Sequence, residues 1–92
     1  MKLKEGYLLR EVAGEYVVFP TGQNVVDSGS MVSVNETGKE IMEKLKDDIL
    51  YEDLKAWFWK KYEAENEEEE VKLREDLDYF LNRLYHHDML VL

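Results

Sequence analysis

Cysteine is missing from the chain altogether, which removes disulfides, thiolate zinc sites, iron–sulfur ligation and a cysteine nucleophile together. That suits a reducing compartment, and a cytoplasmic location is the expectation. Long apolar runs are also missing. Met1-Lys2-Leu3-Lys4-Glu5-Gly6 carries lysines but is not followed by a stretch of signal-peptide length, and nothing later approaches a membrane-spanning run, so no membrane partner is expected. Positive charge is scarce, with 12 Lys and Arg against 21 Asp and Glu and a formal net charge of −9. Nucleic-acid affinity rests on lysines and arginines that displace counterions from phosphates, so nucleic acid is not an expected partner either. There is 1 proline and there are 5 glycines, with no linker, repeat or low-complexity tail. A chain of 92 residues suits a single domain over residues 1–92, because two halves would each be too small to bury an adequate core.

What is present divides into two patterns. Residues 7–12 and 16–19 are rich in aromatic and β-branched side chains and flank Ala13-Gly14-Glu15, a hairpin signal. Pro20-Thr21-Gly22 ends the second strand, since proline cannot donate to a ladder. Val25-Val26 and Met31-Val32-Ser33-Val34 then flank a second turn at Asp27-Ser28-Gly29-Ser30. From Asn35, a good N-cap, the period becomes helical. Ile41, Met42 and Leu45 give a first helix over 36–46, and Leu54, Trp57, Phe58 and Tyr62 give a second over 51–62, all four read as core. Leu73, Leu77, Phe80, Leu81 and Leu84 form the longest stripe, predicting a third helix over 67–86 whose first turn, Glu67 to Glu70, complements the positive end of its dipole. Met89-Leu90-Val91-Leu92 is too apolar to dangle and is expected to pack back on the sheet or the helices. The fold class is therefore α+β, winged-helix-like, with a short three-stranded antiparallel sheet followed by three helices.

Chemistry-bearing constellations are lacking. His86 and His87 are adjacent near a helix end, so their side chains diverge by about 100° and cannot readily share a metal ion. Ser28, Ser30 and Ser33 have no histidine near in sequence and read as turn and strand-surface hydroxyls. Gly22, Gly29 and Gly38 lack phosphate-cradling spacing. No catalytic residue, cofactor or metal is expected. Trp59 stands apart, because it lies about 140° around the second helix from Leu54, leaving two readings open: contact with a partner, or cover for a satellite cluster under a loop.

Leu9-Arg10-Glu11-Val12-Ala13-Gly14-Glu15-Tyr16-Val17-Val18 and Met31-Val32-Ser33-Val34-Asn35-Glu36-Thr37-Gly38 resemble the PqqD-like family of peptide chaperones, also called precursor-peptide recognition elements. Asn35 to Gly38 is the most specific stretch. The resemblance continues through Leu54, Tyr62, Asp76, Phe80, Leu81 and Leu84 and covers roughly residues 6–92. It departs at Leu50-Tyr51, where similar sequences carry a threonine cap. Such domains bind the leader of a ribosomally made precursor peptide as an added antiparallel strand on the third β-strand, in a groove completed by the third helix. The resemblance thus implies a non-catalytic domain with a peptide-binding set of Met31, Val32, Ser33 and Val34 on the strand. By the same resemblance Lys72, Asp76, Tyr79 and Arg83, spaced three to four residues apart beside the apolar stripe, would line that groove, a solvated helix face being the other reading of them. It also implies a modifying enzyme as second partner, typically a radical S-adenosylmethionine enzyme.

Other readings remain beside it. A winged-helix DNA-binding protein would need a basic reading helix, whereas Lys55, Lys60 and Lys61 sit among acidic residues. A structural module could instead pair its exposed strand with a second copy, so both monomer and dimer stay open.

Overall fold

A computed structural model of the chain describes residues 1–22, 25 and 31–92. The strands are β1 (Lys2–Leu3), β2 (Tyr7–Val12), β3 (Glu15–Pro20), β4 (Val32–Val34) and β5 (Leu90–Val91), and the helices are α1 (Glu36–Lys44), α2 (Tyr51–Lys61) and α3 (Glu67–His86). The three-stranded antiparallel sheet has the order β2-β3-β4, and it precedes the helices as the α+β reading requires. The turn Asp27-Ser28-Gly29-Ser30, together with Val26, lies outside the described residues. Val25 does not continue a strand, because its N–H turns back to the Gly22 carbonyl at 3.2 Å.

The hairpin turn is tighter than the spacing suggested. Only Ala13 and Gly14 form the loop, with φ of 52° and 82°, so Val12 pairs with Glu15 and β3 starts one residue earlier. Positive φ at both central residues matches the right-handed twist of the flanking strands. Pro20 sits at the very end of β3, opposite Tyr7, where its missing N–H costs no ladder bond inside the strand.

Alternation along the strands sends Tyr7, Leu9, Tyr16, Val18, Val32 and Val34 to one face, where they meet the helices. Ile41, Met42 and Leu45 of α1 and its C-cap, Leu54 and Phe58 of α2, and Leu77, Leu81 and Leu84 of α3 close the same core. Most of these side chains are almost fully buried, each contributing roughly 2 kcal/mol relative to exposure. Asn35 caps α1 by accepting the Gly38 N–H at 2.8 Å, and Asn66 caps α3 by accepting the Glu69 N–H at 2.9 Å. The Leu50 N-cap of α2 makes no side-chain bond, so burial of Leu54 and Phe58 rather than a cap holds the start of that helix.

The C-terminal segment packs back in a way that periodicity did not show. β5 pairs antiparallel with β1, Leu3 opposite Leu90, forming a separate two-stranded sheet. Further backbone bonds run from Leu3 N–H to the Leu45 carbonyl and from Lys4 N–H to the Met89 carbonyl, both at 2.8 Å. Two-residue strands are too short for hydrophobic alternation to register in sequence.

Candidate peptide-binding cleft

Strand β4 lies at an edge of the sheet, and the ladder fixes which of its backbone groups are free. A two-residue hairpin closes on a hydrogen-bonded pair, here Val12 and Glu15. Bonded pairs then recur at every second residue, which the Thr21 N–H to Gly6 carbonyl bond at 2.7 Å corroborates. On β3, residues 15, 17 and 19 therefore turn their backbone groups toward β2, while Tyr16 and Val18 turn theirs toward Val34 and Val32 of β4. Ser33, opposite Val17, is left with its N–H and carbonyl pointing away from the sheet. No other strand among the described residues pairs with that edge.

Beside this edge runs a cleft of about 540 Å³ lined by Val34 and Asn35, by Thr37, Gly38 and Ile41 of α1, by Phe58 of α2, and by Asp76, Tyr79, Phe80 and Arg83 of α3. Its apolar floor depends on Gly38. A Cβ built there would stand 2.8 Å from Phe80 Cε1 and 3.2 Å from Val34 Cβ, so the bare backbone of α1 lets helix and strand approach on either side. Phe80 is half-buried, and Tyr79 projects outward at 74% exposure as an amphipathic ring at the rim.

The expected site residues are thus sorted. Asp76, Tyr79 and Arg83 line the cleft with Val34. Ser33 supplies the free backbone, Met31 stands exposed just before β4, and Val32 is turned into the core with its backbone spent on β3. Lys72 lies elsewhere, in a shallow depression with Tyr62, Glu63, Glu65, Glu69 and Leu73. Thr37, Gly38, Ile41, Phe58 and Phe80 were not foreseen as lining. An isolated glycine in the first turn of an otherwise regular helix was the available signal for this close approach.

One aromatic expectation changes, and one open reading narrows. Tyr62 is not core but 37% exposed, its hydroxyl donating to Glu40 Oε2 at 2.6 Å with Thr37 Oγ1 at 3.3 Å, which ties the end of α2 to α1. Burial, followed by the hydrogen bond to Glu40, raises its phenol pKa. Trp59 covers the α2–α3 turn. Its Nε1 donates to the Glu70 carbonyl at 3.2 Å and Lys55 Nζ sits 5.0 Å from its ring, so the satellite reading describes it. Tyr51, half-buried, donates to Asp78 Oδ1 at 2.5 Å, and burial chiefly, then this bond, push its phenol up to about 12. Among the described residues no cluster of metal-ligating side chains occurs, and no helix is long and apolar enough to cross a membrane.

No family model matches the sequence, and no curated protein does. A structural comparison is decisive for the fold: TbiB1 in complex with the TbiA(beta) leader peptide superposes with a TM-score of 0.71 at 18% identity, over 98% of this chain and 94% of that one. The chain shares the fold of TbiB1. The TbiB1 match extends over nearly all of both chains, so the arrangement of strands and helices is common to the two.

Proposed function

We propose that this chain is a non-catalytic peptide chaperone of the PqqD-like kind, which captures the leader of a ribosomally made precursor and presents it to a modifying enzyme. The observation that carries the reading is the Ser33 backbone, unpaired among the described residues, beside a cleft with an apolar floor, in a fold shared with a protein solved with a leader peptide. An extended peptide laid against β4 would exchange backbone hydrogen bonds with Ser33, while its alternate side chains enter the cleft. Backbone pairing gives tolerance of sequence and the cleft gives choice. Met31, Val32, Ser33, Val34, Asp76, Tyr79 and Arg83 form the binding set, and Lys72, in its separate depression, is left out of it.

The enzyme served is, on the same reading, a radical S-adenosylmethionine enzyme, and the protein works in the cytoplasm as one domain. The test is an amide NMR titration with the leader of a candidate precursor peptide, taken from a short reading frame in the gene neighbourhood where one is found. Shifts confined to residues 31–34 and to the 76–83 face of α3 support strand addition. A titration without shifts in β4 removes it, and a dimer that pairs two β4 edges would favour self-association instead.

A further inference from the structure

Two charged side chains line the cleft without an ion-pair partner among the described residues. Asp76 and Arg83 make no ion pair among the described residues, although both line it and Arg83 is half-buried. They stand seven residues apart on one face of α3, two turns or about 10.5 Å along the axis. Burying unpaired charge under a ligand costs free energy unless the ligand supplies the opposite sign, so the pair constrains what can lie between them.

The direction of the constraint follows from the topology. The C-terminal end of α3 adjoins the Val32 end of β4. Lys4 Nζ meets Asp88 Oδ2 at 2.8 Å, Gly6 pairs with Thr21, and Val32 lies opposite Val18 near that same end of β3. The N-terminal end of α3 adjoins the Val34 end, where Tyr62, just before the Asn66 cap, reaches Thr37 and Glu40 of α1. β4 and α3 therefore run in opposite senses. A peptide added antiparallel to β4 runs with α3, passing Asp76 first and Arg83 second.

Register supplies the spacing. The peptide residue facing Ser33 exchanges backbone bonds with it and turns its side chain to the outer sheet face, while the residues on either side, facing Val34 and Val32, turn theirs into the cleft. Cleft-facing positions are separated by even steps, and a step of four, about 13.6 Å, fits the separation of Asp76 and Arg83 with side-chain lean better than a step of two, about 6.8 Å. Resting on the leader-binding reading, we infer that the recognised segment has the charge polarity basic-x-apolar-x-acidic from its N-terminus. The basic residue meets Asp76, with Glu36 exposed at the start of α1 adding to the negative potential there. The apolar residue, opposite Val34, enters the floor made by Ile41, Phe58 and Phe80, and the acidic residue meets Arg83.

The probe is a pair of fluorescein-labelled synthetic peptides of identical composition, one with lysine first and glutamate last around the alternating apolar core, the other with the two exchanged. Binding to the full chain is read by fluorescence anisotropy at low ionic strength. The expected result is about ten-fold weaker binding of the exchanged peptide, because both contacts become like-charge juxtapositions. An Asp76→Lys, Arg83→Glu double variant should invert the preference. Equal binding of the two peptides, or a preference for glutamate first, overturns the polarity while leaving strand addition intact if Ser33 still shifts. Failure of both peptides to bind overturns it together with the leader-binding reading.

Discussion

Replacing Gly38 with alanine sets two effects of known sign against each other. Gly38 has an ordinary helical backbone, not one of the positive-φ conformations seen at Gly14 and Gly22, so alanine incurs no backbone strain. Helix propensity alone would make Gly38→Ala stabilising by up to about 1 kcal/mol, less in a first turn. Against this, the new methyl would lie 2.8 Å and 3.1 Å from two Phe80 ring atoms and 3.2 Å from Val34 Cβ. The ring can swing, but Val34 is anchored in the β3–β4 ladder, and overpacking of this kind costs about 1–3 kcal/mol. The contact wins, and the variant should be destabilised by about 1 kcal/mol, a fall in Tm of about 5 °C for a domain of this size. Guanidinium unfolding followed by tryptophan fluorescence measures it. Val34→Ala in the same background should remove most of the effect, giving a coupling of about 1 kcal/mol. A Gly38→Ala protein more stable than the parent, with the two substitutions additive, would refute the close-packing account. Because a displaced Phe80 ring moves into the cleft, leader affinity should fall in Gly38→Ala even where stability recovers.

Proline scanning of β4 separates its two sets of backbone groups. Ser33→Pro should fold with little loss, since its N–H points away from the sheet, yet bind leader at least about ten-fold more weakly, whereas Val32→Pro should unfold the sheet; circular dichroism with anisotropy checks both, and unimpaired binding by Ser33→Pro would remove the edge assignment. Tyr51 predicts an alkaline limit. Its folded pKa of about 12 lies above the value near 10 of an unfolded chain, so its contribution is complete below pH about 10 and is lost as pH rises toward about 12. Urea midpoints at about pH 9 and about pH 11 should fall more in the parent than in Tyr51→Phe, and equal slopes would show that burial of this phenol is not linked to stability.

Much of the architecture was legible in the residues because local chemistry and burial agree. Asn35 caps α1, the Leu73 to Leu84 stripe runs along α3, and the β2–β3 hairpin sits where aromatic and β-branched runs meet a glycine turn. The same periodicity misjudged Tyr62. Its spacing matches Phe58, but it falls at the C-cap of α2, where the helix ends and its hydroxyl reaches Glu40 and Thr37 instead of the core. Position along a stripe does not say where the neighbouring element stops covering it.

The sequence by itself determined the alternation along β4, the helical face shared by Lys72, Asp76, Tyr79 and Arg83 beside the apolar stripe, and the acidic balance that argues against a polyanionic partner. These follow from periods of 2 and 3.6 and from counting charges. Only the tertiary structure decided that the β4 edge and that face of α3 stand on either side of one cleft, that Gly38 is the point through which Phe80 and Val34 approach, that Lys72 falls outside it, and that β1 and β5 pair. Each depends on contacts between residues far apart in the chain, and such contacts are set by how the elements pack together, which no local period records.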